Sequence, residues 1–500
     1  MSFKLHRFLL LIIVITAYFT YVHANVSKRG AGTLKRVGYY ANWAKYTSCK
    51  YMRPSQIDFP HLDYVHYAFA GIDPATFKIR TLEKEDEGLM KELNSAKGRT
   101  KTLISIGGWS FSQDAKTSKI FPALASNEKN RRVFAASVVE FVNKHGFDGV
   151  DLDWEYPTGK DRQNFVELVK AIRAAGPRLI IAAATPGGGD NFGGYDLGAV
   201  SRYVDYFNVM TYDYYGAWDK HGTVNLNSPL DQVRGEKNGV WSTKAAIDYY
   251  IAQGVPRHKI NIGLALYGRS FTLDNPNNAE PGVATWSKPG KPGRCSKSPG
   301  IISYADIAEI VRKGAMPKYT ENGHAYYVVY DKNQWIGYDE WSSLLLKIQL
   351  AAAYQLNGVM IWSVDQDSLE GGPVAGGFAM PGLVRYISDA ATHLCAPAGQ
   401  LPIGAHGAII YTSCAGNAVQ ANQCINGQWK AFGCSGKRLA AGADLRLFET
   451  KGKPFNALTA LASDQPRIQR HDAFVDYSNL FAASYENDNT ISDGYYNPVI

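Results

Sequence analysis

From about residue 34 to residue 392, short apolar runs alternate along the chain with longer amphipathic stretches. Eight of the runs have the length and the β-branched and aromatic content of buried strands: Arg36–Tyr40, Tyr64–Phe69, Lys101–Ile106, Gly149–Trp154, Leu179–Ala184, Tyr206–Tyr212, Lys259–Leu266 and Gly358–Val364. Stretches between them predict helices: Asn130–His145, Gln163–Ala175, Thr243–Gln253 and Ser342–Leu356. Alternation of strand and helix predicts a parallel sheet of the α/β class, and eight such units predict a closed (β/α)8 TIM barrel.

The chain between the seventh and eighth predicted strands is too long for one helix and two loops. Residues 269–337 contain clusters of Gly and Pro, followed by the Tyr-rich run Ala325–Tyr330. We interpret this segment as an inserted α+β subdomain that forms one wall of a groove. A mobile lid is the alternative. Together with the insertion, the barrel is predicted to span residues 34–392.

The N-terminal segment has the pattern of a targeting signal. Basic residues precede the apolar run Phe8–Ala17, and Ala24 offers a small residue at a cleavage position. We predict a signal peptide over residues 1–24, followed by a linker over 25–33; a signal anchor is the alternative. The mature protein is therefore expected to be secreted and extracellular, with no stable membrane association once the signal is removed.

The cysteines favour disulfide bonds in a secreted chain. Residues 393–436 are predicted to form a small Cys-rich C-terminal segment, in which three pairings are open for Cys395, Cys414, Cys424 and Cys434. Cys49 and Cys295 either pair with each other or stay free. The Cys-rich segment is either a carbohydrate-binding module or a stabilising tail. Residues 437–500 have little apolar periodicity and are predicted to be loosely ordered.

Composition narrows the class of partner. The net charge is +8 without a long basic run, which argues against nucleic acid as a partner. Aromatic residues make up 12% of the chain, with 31 Tyr and 10 Trp. Flat and partly polar side chains in this number suit sugar rings as well as a protein core.

The fourth predicted strand carries an unusual column of acids. Because alternate residues of a strand face the same side, Asp151, Asp153 and Glu155 share one face, while Val150 and Leu152 face the other. Stacked carboxyls resist joint ionisation, so at least one should keep its proton near neutral pH, as a general acid must. A solvated edge strand or a calcium loop is the alternative. Trp154, Tyr156 and the apolar face argue against the turn that a calcium loop needs.

Several motifs together resemble a known family. They are Ser105–Trp109, Asp148–Glu155 with its complete DxxDxDxE spacing, Met210–Asp213, Gly263–Arg269 and the late Trp362. In this order they resemble the signatures of family 18 glycoside hydrolases, the chitinases, over residues 34–390. The segment after the seventh strand resembles that of the bacterial-type or class V branch.

The resemblance implies hydrolysis of β-1,4-linked N-acetylglucosamine polymers with retention. Glu155 would be the general acid, and Asp153 would hold the acetamido group of the substrate, whose oxygen is the nucleophile. Asp151 would share a proton with Asp153, and Asp148 would support the array from below. Tyr212 and Asp213 would orient the acetamido group from the opposite side.

The resemblance also implies a set of substrate-binding residues. Tyr39 and Ser105 would hydrogen-bond the inner aspartates, and Trp362 would be the floor under the reacting sugar. The remaining candidates line the groove: Met210, Tyr267 and Arg269, with Trp43, Trp109, Trp218 and Trp286 for further sugars.

Three functions remain open on the sequence: a chitinase, a catalytically silent chitin-binding lectin on the same fold, and an endo-β-N-acetylglucosaminidase acting on N-glycans. The presence of both Glu155 and Asp153 favours the first. The expected partners are chitin and chito-oligosaccharides. No metal or cofactor is implied, and the sequence leaves the oligomeric state open.

Overall fold

The computed structural model describes residues 34–46, 52–219, 222–233, 239–368, 373–374, 378–379, 383–392, 409–413, 419–425 and 428–435. Eight parallel strands form its central barrel: β1 (Lys35–Ala41), β2 (Tyr64–Ile72), β3 (Lys101–Gly107), β4 (Gly149–Asp153), β5 (Ile180–Pro186), β6 (Tyr206–Met210), β7 (Ile260–Ala265) and β8 (Gly358–Trp362). Each strand pairs with the next in the chain, and β1 pairs with both β2 and β8, which closes the barrel. The predicted fold class is confirmed, and the strand bounds differ from the predicted ones by at most three residues.

Helices surround the barrel. They are α1 (Asp86–Ala96), α2 (Trp109–Gln113), α3 (Ile120–Ser126), α4 (Glu128–His145), α5 (Arg162–Ala175), α6 (Leu197–Val200), α7 (Thr243–Ala252), α8 (Tyr304–Arg312), α9 (Trp341–Ala353) and α10 (Leu383–Thr392). Asn127 caps the N-terminus of α4 through its side chain, and Gly146 ends that helix in the left-handed conformation. Within the described ranges, none of these helices has both the length and the apolar character needed to cross a bilayer.

The main core lies between the barrel and its helices. Outward-facing side chains of β4, such as Val150 and Leu152, are buried there against helix residues such as Phe134 and Phe165. The barrel interior holds a smaller cluster with more aromatic and polar character, which includes Tyr39. The apolar face of each strand thus stabilises the barrel, and the inward face is left to position polar groups.

The segment between β7 and β8 folds as a second sheet. Its strands are Tyr267–Leu273, Trp286–Pro289, Ile301–Ser303, Lys318–Thr320, Ala325–Tyr330 and Gln334–Tyr338, all paired antiparallel, and α8 lies among them. Phe271, Tyr327 and Trp335 form the centre of its own apolar core. In the structure this segment combines a sheet with one helix, which is the α+β character that the sequence predicts.

The C-terminal part is described only in its backbone. Strands Ile409–Ser413, Val419–Ile425 and Gln428–Ser435 form a three-stranded antiparallel sheet within the predicted Cys-rich segment. A short pair joins Pro373–Val374 to Phe378–Ala379. Cys295 is disulfide-bonded. The predicted signal peptide, the linker, the tail over 437–500, and Cys49, Cys395 and Cys414 lie outside the described residues.

Candidate active site

The acidic column lies at the C-terminal end of β4. Asp151 and Asp153 point into the barrel and are buried, and Glu155 follows two residues after the strand ends. Val150 and Leu152 point outward into the main core, as strand alternation requires. Three carboxyl groups therefore follow one another from the barrel interior to its mouth.

A glycine turn after β3 packs directly against this end of β4. Gly107 and Gly108 have φ values of 115° and 83°, which side chains rarely adopt. A Cβ atom on Gly107 would lie 2.2 Å from the carbonyl oxygen of Asp153, and one on Gly108 would lie 2.5 Å from the ring of Phe69. The Gly108 amide donates to that carbonyl oxygen of Asp153 at 2.8 Å. Only glycine permits this approach of the two strands.

Asp151 is held by donors from neighbouring strands. Its Oδ2 accepts hydrogen bonds from the hydroxyls of Tyr39 and Ser105, both at 2.7 Å. The Nδ1 atom of His66 lies 3.3 Å from the same oxygen. Tyr39 in turn accepts from the amide of Asn208 at 2.9 Å. Burial and the charge of Asp151 raise the pKa of Tyr39 well above its ordinary value, so its phenol remains a donor.

Asp153 is a buried carboxyl group with a raised pKa. Burial, followed by the neighbouring charges of Glu155 and Asp151, raises the pKa of Asp153 well above its ordinary value. Within the described residues, the Oδ1 atoms of both aspartates have no hydrogen-bond partner. Two buried carboxyl groups thus lie next to each other along β4, and burial favours the protonated form of Asp153.

Glu155 is fixed through its main chain and is protonated through much of the neutral range. Its N–H donates to the Ser112 hydroxyl at 3.0 Å, and its carbonyl accepts from the side-chain amide of Gln113. Burial raises the pKa of Glu155 to about 8; a hydrogen bond from Tyr156 opposes this and the charge of Asp213 adds to it. A carboxylic acid that is neutral at pH 7 can donate a proton to a bound ligand.

The facing wall is built by the segment after β6 and by the insertion. The Asp213 Oδ1 atom accepts from the Tyr267 hydroxyl at 2.6 Å and from Nε of Arg269 at 2.7 Å. The Asp213 backbone has a φ of 59°, and its N–H donates to Oδ1 of Asn227 at 3.1 Å. The buried Tyr212 lies beside Tyr267, with ring centroids 6.1 Å apart. An anion is thus fixed opposite Glu155.

Aromatic rings form the floor of the site. Trp362, at the end of β8, stacks on Phe69 with centroids 5.8 Å apart and an interplanar angle of 22°. Tyr39 and Trp43 pack on the same indole, with centroids at 5.4 and 6.2 Å. The side chain of Trp43 is 41% exposed, which places an apolar surface at the mouth of the site.

These groups line one groove with a volume of about 1470 Å³. The predicted residues on its surface are Tyr39, Trp43, Trp109, Asp153, Glu155, Met210, Tyr212, Asp213, Trp218, Tyr267, Arg269 and Trp362. Asp151 and Ser105 are buried beneath this surface. Trp286 packs against Phe271 in the insertion and is not part of this groove lining, and its contact with sugar stays a prediction from the sequence.

Asp148 lies below the acidic column, and its support of that column stays a prediction. It precedes β4 at the opposite end of the barrel from Glu155, and its oxygens are bound by Lys97 and Lys101 at 2.8 Å and by the Thr102 amide at 3.0 Å. Burial opposes these hydrogen bonds, but together they lower the pKa of Asp148. This side chain joins β3, β4 and the end of α1 at the base of the barrel.

Sequence reasoning missed a polar network inside the barrel. From Asn208, side-chain amide hydrogen bonds continue to Asn261 at 3.0 Å and on to Asn357 at 2.9 Å. His66 and Tyr206 form a second branch at 3.0 Å. The signal was available, because each of these polar residues interrupts or adjoins an apolar strand. No sequence signal indicated Ser112 and Gln113.

Comparison with known proteins gives a consistent result. The family model described as "Glycosyl hydrolases family 18" matches residues 35–367. Chitotriosidase-1 of Mus musculus is 32% identical over 358 residues, which cover 67% of this chain and 74% of that protein. A "Probable endochitinase" of Caenorhabditis elegans is 32% identical over 364 residues, which cover 67% of this chain but only 56% of that relative.

Solved structures agree. The "immunomodulatory active chitinase" TsES1 of Trichuris suis superposes with a TM-score of 0.66 at 28% identity, covering 71% of this chain and 98% of that one. Human YKL-39, described as "a pseudo-chitinase with retained chitooligosaccharide binding properties", gives 0.65 at 29% identity, with coverage of 71% and 98%.

Proposed function

The chain belongs to glycosyl hydrolase family 18, and from this premise we propose that it is a chitinase that hydrolyses β-1,4-N-acetylglucosamine linkages with retention. The observation that carries the proposal is the acidic column at the end of β4. Glu155 has a pKa of about 8 at the surface of the groove, and the buried Asp151–Asp153 pair lies behind it.

Glu155 is the general acid of the proposed mechanism. Its proton passes to the glycosidic oxygen as the bond from that oxygen to the anomeric carbon breaks. The carbonyl oxygen of the substrate's own acetamido group attacks the anomeric carbon and forms an oxazolinium ion. Glu155, now a carboxylate, then removes a proton from water as the water oxygen attacks the same carbon. The bond from that carbon to the acetamido oxygen breaks in this step, which restores the acetamido group. Two inversions at one centre leave the configuration retained.

The Asp151–Asp153 pair stabilises the positive charge of the oxazolinium ion. Asp153 faces the groove and is placed to accept from the acetamido N–H, while Asp151 behind it shares the proton of the pair. Because both groups are buried, their negative charge acts in a medium of low dielectric, where it has a larger effect than in water.

The opposite wall and the floor orient the sugar. Tyr212 keeps its phenolic proton, because burial and then the charges of Asp153 and Asp213 raise its pKa well above the ordinary value. It can therefore donate to the acetamido oxygen, while Asp213 holds the far side. The face of Trp362 offers an apolar platform for a pyranose ring and excludes water from the reacting centre.

Two other functions compete with this one. A silent chitin-binding lectin is a real alternative, since human YKL-39 bears the name pseudo-chitinase. The intact pair of Glu155 and Asp153 supports catalysis instead. The second alternative is an endo-β-N-acetylglucosaminidase that acts on N-glycans. The insertion adds a groove wall that includes Tyr267 and Arg269, and a groove with this wall suits a linear polymer better than a branched glycan.

Finer features of the proposal come from the sequence. We propose that the protein is secreted after removal of residues 1–24, and that it belongs to the bacterial-type branch of the family. We also propose that residues 393–436 bind carbohydrate. Truncation after residue 392, with adsorption to insoluble chitin as the measurement, tests the last point: unchanged adsorption would leave a stabilising tail.

The decisive experiment is product analysis on defined chitin oligomers with detection of the anomer formed first. A chitinase of this mechanism releases the β-anomer, and an allosamizoline-type mimic of the oxazolinium ion inhibits it strongly. Binding of the oligomers without cleavage would support the lectin. Cleavage of a high-mannose glycoprotein but not of chitin oligomers would support the endo-β-N-acetylglucosaminidase.

A further inference from the structure

His66 is a buried histidine in contact with the acidic pair. It lies on β2, faces the barrel interior and has no solvent exposure. Its Nδ1 atom is 3.3 Å from Oδ2 of Asp151, and its Nε2 atom is 3.0 Å from the Tyr206 hydroxyl. Its ring packs on Tyr39 with centroids 4.6 Å apart. Neither the acid role of Glu155 nor the binding of sugar uses this side chain.

The neighbours of His66 determine where its ring carries a proton. Burial and then the charge of Asp151 raise the pKa of Tyr206 well above its ordinary value, so this phenol keeps its proton and can donate to Nε2. A neutral ring that accepts at Nε2 must carry its hydrogen on Nδ1. An imidazolium also carries one there. With Tyr206 as the donor to Nε2, the ring therefore has its hydrogen on the nitrogen nearer Asp151.

The two carboxyl oxygens of Asp151 differ in their contacts, because Oδ2 accepts hydrogen bonds whereas Oδ1 has no partner within the described residues. Oδ2 already accepts from Tyr39 and Ser105, and Nδ1 of His66 lies 3.3 Å from it without a hydrogen bond of regular geometry. Hydrogen bonds to the ionised form of a carboxyl favour that form. We propose that His66 is a positioning residue, whose Nδ1–H holds Asp151 as the anion of the Asp151–Asp153 pair and so leaves the shared proton on Asp153. This inference rests on the proposed function.

The groups that face this site come from four strands. They are Tyr39 of β1, Asp151 and Asp153 of β4, and Tyr206 of β6, together with His66 itself on β2. The hydroxyl of Ser105 and the amide of Asn208 are polar but do not titrate. His66 does not line the groove, so its replacement removes no direct contact with the substrate.

The test is the pH profile of kcat/KM on chitin oligomers for His66→Leu and His66→Asn. Leucine removes the donor at similar volume, so the Asp151–Asp153 pair takes up its second proton at a higher pH. The acid limb should then move upward by about one pH unit, with KM changed less than about twofold because His66 does not line the groove. Asparagine places an amide N–H near the position of Nδ1 and should restore most of the wild-type profile.

Two further measurements make the result specific. His61→Gln is the matched control, because His61 pairs with Asp58 outside the barrel at 2.8 Å and its loss should leave the profile unchanged. The ¹⁵N spectrum of the histidines, with His66→Leu to assign the signal, should show His66 with its hydrogen on Nδ1. A neutral ring with hydrogen on Nε2 alone would overturn the inference.

The outcomes separate the two proposals. A uniform loss of kcat in His66→Leu with both limbs unmoved would mean a purely structural role and would overturn the inference alone. A wild-type protein that does not hydrolyse chitin oligomers would overturn the proposed function, and the inference with it. A shifted acid limb that His66→Asn restores supports both.

Discussion

The guanidinium of Arg269 and the carboxylate of Asp213 form an ion pair on the groove wall, with Nε 2.7 Å from Oδ1. Arg269 is held in place because its guanidinium also lies over the ring of Trp218, 4.4 Å from the centroid. Asp213 is thereby fixed as an anion that faces Glu155 and raises its pKa. The insertion, which carries Arg269, thus acts on the proton of the proposed acid.

The first prediction concerns Asp213→Asn. Without this negative charge the pKa of Glu155 falls from about 8, so the acid form of Glu155 is lost at a lower pH. The basic limb of the kcat/KM profile should therefore move to lower pH, while the acid limb stays. Asp114→Asn, an exposed aspartate at the end of α2, is the control and should leave the profile unchanged. A basic limb unmoved in Asp213→Asn would contradict the coupling.

The second prediction concerns the acid itself. Glu155→Gln cannot supply the proton, so turnover of chitin oligomers should fall by about 10²–10⁴-fold or more. Affinity, measured by calorimetry, should remain close to that of the wild type because the amide keeps the shape of the carboxyl group. Glu83→Gln at the groove edge, where the carboxylate pairs with Lys45 at 2.7 Å, is the control and should keep its activity. Retained turnover in Glu155→Gln would remove Glu155 from the acid role.

The third prediction is that Glu155 costs stability at alkaline pH. Its pKa is raised from 4.5 in an exposed chain to about 8 in the folded protein, so the folded state binds the proton more tightly than the unfolded chain does. Folding free energy is therefore lost as pH rises from about 4.5 toward about 8. At pH 8 Glu155→Gln should be more stable than the wild type by roughly 4 kcal/mol, and the gain should vanish near pH 4. The measurement is urea unfolding of both proteins at pH 4 and pH 8. An equal difference in unfolding free energy at the two pH values would contradict the raised pKa of Glu155.

The fourth prediction concerns a buried ion pair behind the same wall. Nζ of Lys347 lies 2.5 Å from Oδ2 of Asp339, and both side chains are buried. The same ammonium donates to the Ser228 hydroxyl at 2.7 Å, and that hydroxyl donates to the carbonyl of Thr211 at 2.6 Å. Lys347→Met leaves Asp339 as an unpaired buried charge and should lower the free energy of unfolding by about 3–5 kcal/mol.

The double variant Lys347→Met, Asp339→Leu is the control for this pair. It removes both charges, so much of the lost stability should return. Because Thr211 directly precedes Tyr212, the single variant should also lose activity at temperatures where it is still folded. Equal stability of the single and double variants would mean that the unpaired charge is not the cause.

Much of the fold could be predicted from the sequence, because barrel strands that are buried on both faces appear as short apolar runs. Runs such as Lys101–Ile106 are apolar, short and separated by helical stretches, and each became a strand of the barrel. The acidic column was equally visible: strand alternation alone places Asp151 and Asp153 on one face, and the structure has both inside the barrel.

What escaped prediction depends on contacts between distant segments. Trp286 is a strand residue with two possible faces, and only the packing of the second sheet turns it toward Phe271. Asp148 belongs to the acidic motif by spacing, but in the structure it forms ion pairs with Lys97 and Lys101 at the base of the barrel. Ser112 meets the main chain of Glu155 because the glycine turn after β3 folds over the end of β4. No pattern in the neighbouring sequence predicts any of these contacts.

The tight approach of that turn to β4 restricts which residue can occupy position 107. A methyl group at position 107 would drive the third and fourth strands apart at the point from which the acid projects. No compensating change nearby can create the space, because the atom in the way belongs to the backbone. A library with every residue at position 107, screened for hydrolysis of chitin oligomers, should return glycine alone.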